Sequence, residues 1–390
     1  MKLLFNLACT QPSSSGKRHG GGIYGEIVFR HIIERKLVLS AYYDSSNWFN
    51  PEILQLIVEN KIELLDKQKE GSLQETVQKY GFDTLYSPLV SDEVLDVKGI
   101  NVVGTIHGLR PIELSYDKMI WRYKSASLRE KVVLLIKHLF PKFGYKRAYQ
   151  FYNKVYSKRN FRFVMVSNHS IYTLLAYCSV FRNRTVKVFY SPSTSSKEKL
   201  QKRKFNDKYY LFVSANRWEK NCLRGIIAFD RLFSQGFLQD TKVRITGVHS
   251  QKAFKYKLQN PERFEFMGYV DDQCLEQLYH DAYGFVYPSL NEGFGYPPIE
   301  AMHYGIPCVV SPFTSISEIC QGAVLYANPY SVEEIMGRIL MIDDPDNHEK
   351  YASLALKQES IIKDKQVRDL DGVVDFIYNI NMDKDKGGIL

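Results

Sequence analysis

The sequence predicts an α/β protein of two domains, each a parallel sheet covered by helices. Three observations carry this. Short apolar runs of strand length alternate with longer stretches of helical pattern along the chain, the order expected of βα units rather than of segregated strands and helices. The chain has 390 residues, which at roughly 100–200 residues per domain favours two. Its middle is broken by Tyr190–Ser196 (YSPSTSS) and the charged run KEKLQKRK, after which a fresh apolar strand begins, YYLFVSAN.

Taken in order, the candidate strands are Leu3–Leu7, Thr84–Tyr86, Val102–Thr105, Phe163–Val166, Lys187–Tyr190, Tyr210–Val213, Lys242–Thr246, Phe285–Tyr287 and Pro307–Val310. They give a first domain over residues 1–190, a linker over 191–208, a second domain over 209–360, and a C-terminal helix and tail over 361–390. The two halves share one grammar, that of paired Rossmann-like domains, although no close internal repeat joins them.

Composition narrows the classes. An apolar fraction of 45% lets each half bury a core and excludes general disorder. The formal charge of +9 suits an anionic partner, which is nucleic acid, a phosphorylated substrate or an anionic membrane surface. The six cysteines are scattered and form no C-x-x-C pair, which argues against a zinc site or a disulfide framework and fits a reducing cytoplasm. The opening MKLLFNLACT lacks a full apolar signal region, and SSSGKRHGGG follows it. It reads as a first buried strand entering a glycine-rich loop. The longest uncharged stretch, Phe163–Phe181, is interrupted by Ser167, Asn168, His169 and Ser170. A spanning helix needs about 20 predominantly apolar residues, so none is expected.

One segment departs from the pattern. Tyr116–Arg162 holds 13 Lys/Arg against two acidic residues, Asp117 and Glu130. Within it, SLREKVVLLIKHLFPKF mixes basic and apolar positions at helical spacing. Such a helix lies either with one face on the core or on an anionic membrane surface. No recognised nucleic-acid motif accompanies the charge, so no nucleic-acid partner is expected.

The chemistry concentrates in FVYPSLNEGFGYPPIEAMHYGIPCVVSPFTSISE, residues 285–318. A strand ends at Tyr287 and a polar loop carries Glu292, Gly293, Phe294 and Gly295. Pro297 and Pro298 suit the first turn of a helix, where a missing N–H costs little. Glu300 is expected in that turn. Gly293 and Gly295 permit close backbone approach, and the N–H groups of a helix start attract a diphosphate. Glu292 can accept hydrogen bonds from sugar hydroxyls, and Glu300 from ribose hydroxyls.

This stretch resembles the E-x7-E region of glycosyltransferase family 4, with Glu292 and Glu300 as its two glutamates. FEFMGYVDDQCLEQLYHDAYGFVYPS before it and SPFTSISEI followed by AVLYANPYSVEEI after it are also similar, so the resemblance covers residues 209–340 well and the first half only in places. It implies the GT-B architecture, two Rossmann-like domains whose parallel sheets face a central cleft, with a C-terminal helix crossing back to the first domain. It implies that Glu292 contacts the donor sugar, that Glu300 holds the ribose, and that Gly293, Phe294 and Gly295 line the sugar and diphosphate. Glu318 is then the acidic residue near the nucleotide. In SANRWEKN, Arg217 and Lys220 are similar to the family's diphosphate-binding Arg/Lys pair, although a spacing of three is shorter than is usual there. Gly20, Gly21 and Gly22 resemble the family's first glycine loop. His107, followed here by Gly108 where the family commonly has Asp, would contact the donor sugar near the reacting carbon. Ser167, Asn168 and His169 are further candidates, as is Arg110 on the acceptor side.

The resemblance implies a retaining hexosyltransferase. Its donor is a nucleotide-diphosphate sugar and its acceptor a glycan or lipid-linked saccharide. The setting is cell-surface polysaccharide or lipopolysaccharide synthesis, in the cytoplasm or peripherally at the inner face of the membrane through 116–162. No D-x-D motif sits in a suitable loop, and no metal cofactor is expected. A nucleotide-sugar epimerase on the same fold and a non-catalytic nucleotide-sugar-binding protein are the alternatives.

Overall fold

The structure is a computed structural model that describes the chain apart from residues 13–18, 179–184, 194–206 and 380–390. Most of the expected linker thus lies outside the described residues. The chain divides into two compact units.

The first unit is built on seven parallel strands. They are β1 (Leu3–Asn6), β2 (Ser40–Tyr43), β3 (Glu63–Asp66), β4 (Thr84–Ser87), β5 (Asn101–Ile106), β6 (Phe161–Met165) and β7 (Val186–Val188). Their order is β3-β2-β1-β4-β5-β6-β7. The second unit has six parallel strands. These are β8 (Tyr209–Phe212), β9 (Lys242–Thr246), β10 (Phe264–Gly268), β11 (Gly284–Tyr287), β12 (Cys308–Val310) and β13 (Leu325–Tyr326), in the order β10-β9-β8-β11-β12-β13. The central strands β1, β8 and β11 are buried along their whole length. Helices on both faces of a parallel sheet demand this, and it explains why those strands read as unbroken apolar runs.

In each sheet the strand order reverses between its first and fourth strands, β1 and β4 or β8 and β11. Crossovers leave such a point toward opposite faces, so the loops at the carboxyl ends of these strands splay apart and make room for a ligand.

The expected first domain, 1–190, is not continuous. Residues Arg110–Arg147 cluster with the second unit, which otherwise comprises Ser195–Ile362. The reason is packing. Leu114, Ile120, Tyr123 and Leu134 enter the same apolar core as Phe212, Trp218, Leu223 and Phe254. Tyr123 forms a β-bridge with Phe254, and its hydroxyl accepts the Leu223 N–H at 2.9 Å. Asp117 holds both terminal nitrogens of Arg224 in a pair almost closed to water, with side chains 5% and 6% exposed.

The helix Leu128–Leu139 within this segment is N-capped by Ser127. Its two buried residues are Lys131 and Leu134, and Lys131 Nζ donates to the Tyr123 carbonyl at 2.9 Å. Leu128, Val132, Val133, Ile136 and Leu139 are exposed, as is Phe140 beyond its end. A lysine inward and aliphatics outward is the reverse of an ordinary surface helix.

The last helix, Pro345–Tyr378, serves both units. As far as Ile362 it belongs to the second and from Lys363 to the first. In the second, Gln358 donates to the Ile319 carbonyl at 2.8 Å. In the first, Arg35 pairs with Asp375, and Asp369 accepts the Tyr190 N–H at 2.6 Å.

Candidate functional site

The candidate site of the second unit forms at the reversal between β8 and β11. The loop after β8 contains Arg217, a single 3-10 turn Trp218–Lys220, and Asn221, which starts the helix Cys222–Ser234. The loop after β11 runs from Pro288 to Gly295. The two loops are laced together. Asn221 donates to the carbonyls of Pro288 and Pro329 at 3.0 and 2.7 Å, and Leu290 N–H donates to the Glu219 carbonyl at 2.8 Å.

At the centre is a buried ion pair. Lys220 Nζ lies 2.6 Å from Glu292 Oε1. The same oxygen accepts the Tyr287 hydroxyl at 2.7 Å and the Ser289 hydroxyl at 2.6 Å, while Oε2 accepts none of these. Lys220 Nζ also donates to the Tyr287 hydroxyl at 2.7 Å. Burial would raise the Glu292 carboxyl, but the Lys220 ammonium and these hydrogen bonds outweigh it and hold it below its ordinary value. Burial lowers the Lys220 ammonium, with Glu292 opposing. Burial, then Glu292, pushes the Tyr287 phenol well up, so it remains a donor. The backbone of Glu292 is fixed as well, its N–H on Thr314 Oγ1 at 2.9 Å and its carbonyl accepting from Ser315 Oγ at 3.1 Å.

A second cluster adjoins it. Glu219 Oε1 accepts from Arg217 Nε and NH2 at 3.0 and 2.7 Å and from Arg110 NH1 at 2.9 Å. Burial would raise the Glu219 carboxyl; Arg217 and then Arg110 outweigh it and hold it down. Glu113 accepts the Asn291 amide at 2.9 Å, one residue before Glu292.

The helix Tyr296–His303 follows Gly295, whose φ of 107° is a conformation that favours glycine. Pro297 and Pro298 stand in its first turn and carry no N–H, so this helix start offers fewer donors to a diphosphate than expected from the sequence. Phe294 is buried, with its ring edge-on to Tyr296. Glu300 falls just past the first turn rather than within it, because the helix begins at Tyr296. It is half-buried and faces the Tyr279 hydroxyl. Glu318 lies in the first turn of Ser315–Cys320. Three non-glycine residues of these loops have positive φ: Ser214 at 57°, Asn221 at 57° and Thr314 at 54°. Such backbone costs on the order of 1–3 kcal/mol and gathers at working sites.

In the first unit, Gly20, Gly21 and Gly22 are not a loop but the first turn of the helix Gly20–Glu34. A Cβ on Gly22 would meet the Thr10 carbonyl at 2.5 Å, and one on Gly21 the Leu89 side chain at 2.8 Å. These glycines let the helix start pack against the chain after β1 and β4. His107 follows β5; its Nε2 donates to the Pro88 carbonyl at 2.8 Å and its ring meets Tyr24 edge-on. Burial lowers it to about 4, so it is neutral near pH 7. Ser167 is the N-cap of Asn168–Tyr177, accepting the Ser170 N–H. His169 meets Thr173 Oγ1 at 3.3 Å and Asn168 is exposed.

The structure therefore pairs Lys220 with Glu292, and links Arg217 to them through Glu219, whose carbonyl accepts the Ser289 hydroxyl that also donates to Glu292. It adds Glu219, Tyr287 and Ser289, and it sets Arg110, expected on the acceptor side, against Glu219. Glu219 was visible in the sequence between Arg217 and Lys220, but nothing local marked Arg110 as its partner 109 positions away.

Residues 194–358 match the family described as Glycosyl transferases group 1. The O-antigen chain mannosyltransferase B of Escherichia coli is 43% identical over 88 residues, 23% of each chain. The O-antigen chain mannosyltransferase RfbU of Salmonella typhimurium is 28% identical over 174 residues, 44% of this chain and 48% of that one. The chain thus spans about a quarter to a half of the length of these relatives. The structure of Anabaena HepE in complex with UDP and glucose superposes with a TM-score of 0.63 at 15% identity, covering 97% of this chain and all of that one. That likeness establishes the fold, two parallel-sheet α/β domains of GT-B type.

Proposed function

We propose that this chain is a retaining glycosyltransferase that moves a hexosyl group, mannosyl before others, from a nucleoside-diphosphate sugar to a hydroxyl of a glycan or lipid-linked saccharide during cell-surface polysaccharide synthesis. The observation that carries the reading is the buried Lys220–Glu292 pair at the carboxyl ends of β8 and β11, beside the guanidiniums of Arg110 and Arg217. The group 1 match, residues 194–358, contains Arg217, Lys220 and Glu292, and the names of the two mannosyltransferase relatives favour the sugar and the setting.

In this reading Glu292 Oε1 is fixed by three donors and Oε2 is the oxygen presented to a sugar hydroxyl. Lys220 holds that carboxylate in place. Arg217 takes the negative charge that grows on the departing diphosphate; one such stabiliser is commonly worth about 2.7–4 kcal/mol of barrier. Glu300 binds the ribose and Glu318 stands near the nucleotide. His107, neutral and with Nδ1 unpaired among the described residues, is the first unit's candidate for a sugar contact. The acceptor hydroxyl attacks on the face the diphosphate leaves, and a phosphate oxygen takes its proton. With this charge neutralised by guanidiniums, transfer is expected to persist in EDTA.

Thermal-shift screening of nucleotide sugars and nucleoside diphosphates tests the donor, since a ligand bound only by the folded chain raises Tm. Transfer to lipid-linked saccharide from O-antigen-producing membranes then tests the reaction. A selective shift followed by anomer-retaining transfer supports the proposal. Epimerised donor without acceptor, or binding without transfer or hydrolysis, replaces it with another activity.

The outward face of Leu128–Leu139 favours an anionic membrane surface as well. Its exposed Leu128, Val132, Val133, Ile136 and Leu139 stand among the 13 Lys/Arg of 116–162, the combination that binds acidic lipid by apolar insertion and charge together. Flotation with phosphatidylglycerol vesicles is expected at low salt and is expected to weaken in Ile136→Ser/Leu139→Ser. No flotation at low salt removes the membrane from the reading.

A further inference from the structure

We infer that Arg110 and Arg217 together bind the donor diphosphate, with Glu219 holding the two guanidiniums in register. The inference rests on the reading of the second unit as a nucleotide-sugar site and names a residue outside the matched segment 194–358.

The resemblance of SANRWEKN to the family implies Arg217 and Lys220 as the cation pair. The structure encloses Lys220. Its side chain is 5% exposed, and its Nζ donates to both Tyr287 and Glu292. Drawing it toward a phosphate would leave the buried Glu292 carboxylate unpaired, a costly exchange. The guanidiniums of Arg110 and Arg217 are open by contrast, at 43% and 42% side-chain exposure. Both converge on one oxygen of Glu219. A guanidinium carries five N–H donors in a rigid fork, so most of theirs have no protein acceptor among the described residues. Two planar forks held side by side match the spread oxygens of a diphosphate better than one fork and a point-like ammonium. Charge agrees. Arg110, Arg217 and Lys220 stand against Glu219 and Glu292, which leaves one positive charge to be met by an anion.

Arg110 is not a stray surface residue. The segment that follows it is fastened to both loops of the site. Glu113 accepts from Asn291 and Asp117 from Arg224. Ser125 donates to the Asn216 carbonyl, and Trp218 Nε1 donates to Glu130 at 2.7 Å. These contacts set where the Arg110 guanidinium stands.

The test is calorimetric titration of the full chain with UDP, GDP and ADP and with their monophosphates, using wild type, Arg110→Gln, Arg110→Lys and Arg231→Gln. Arg231 is a guanidinium in the last turn of Cys222–Ser234, paired with Glu333, and controls for simple loss of charge. Arg110→Gln is expected to weaken the best-bound diphosphate about tenfold, as for one lost charge-assisted contact. Its monophosphate should be little affected. Arg110→Lys should fall between, and Arg231→Gln should match wild type. Equal weakening of diphosphate and monophosphate, or none, overturns the inference while wild-type binding keeps the donor reading. Wild type that binds none of the three diphosphates removes the donor reading and the inference with it. If Arg110→Gln does not fold, Arg110→Lys decides: diphosphate affinity equal to wild type overturns the inference.

Discussion

Lys220 Nζ and Glu292 Oε1 are 2.6 Å apart, with side chains 5% and 9% exposed. Neither charge has water to turn to when the other is removed. Lys220→Met should therefore destabilise the chain by about 3–5 kcal/mol, read as a fall in the urea midpoint, and Lys220→Met/Glu292→Gln should recover much of it. A double variant no more stable than the single one would locate the loss elsewhere. Because folding holds the Glu292 carboxyl below its ordinary 4.5, its contribution is complete above that pH and is lost as pH falls through the folded value. Glu292→Gln should flatten this acid limb.

The Asp117–Arg224 pair fastens the 110–147 segment to the helix Cys222–Ser234. Arg224→Met strands a buried carboxylate, and a loss of about 3–5 kcal/mol is expected. Limited trypsin digestion should then cut within 110–147 sooner than in wild type. An unchanged cleavage order would show that apolar packing alone retains the segment.

For His107 the folded value is about 4 against an ordinary 6.5, burial being the cause. Stability from keeping the ring neutral is complete above pH 6.5 and is lost as pH falls from there to about 4. The loss is on the order of 2–3 kcal/mol. His107→Gln keeps a donor for the Pro88 carbonyl and should lose less over that range. Denaturation curves at pH 7 and pH 4.5 make the comparison, and equal slopes would contradict it.

Thr314 combines a positive φ with a hydroxyl that accepts the Glu292 N–H. Thr314→Ala keeps the strain and removes the acceptor; Thr314→Gly removes both. Glycine should therefore be the more stable variant by about 1 kcal/mol, while both should transfer sugar more slowly than wild type. Alanine equal to or above glycine in Tm would mean that the backbone relaxes.

Nine of the thirteen strands among the described residues were legible, most of them because a parallel strand buried on both faces must be apolar along its length. Those missed have a physical reason. Glu63–Asp66 carries charge at both ends, Phe264–Gly268 has a glutamate inside, and Leu325–Tyr326 is two residues long. Ser40–Tyr43 is four residues that follow Leu37–Leu39, a run close behind the helix Gly20–Glu34 and easily read as its continuation. In the site, Arg217, Lys220 and Glu292 could be read because each lies beside its strand end. Arg110 could be read only as a weak candidate and on another surface, since the contact with Glu219 joins distant positions. The membership of 110–147 was hidden for the same reason. Nothing in its composition says which core Ile120 and Tyr123 enter.

That membership has a consequence for the order of synthesis. The chain passes between units at 109/110, 147/148, 194/195 and 362/363. Domains commonly fold one after another as they leave the ribosome, but here neither unit is finished early. The first waits for the helix turns after Lys363, which hold Arg35 and Tyr190. A fragment beginning at Ser195 would lack the partners of Arg224 and Trp218. The nascent protein must keep two sheets with incomplete helical cover from aggregating until nearly its last described residue has emerged.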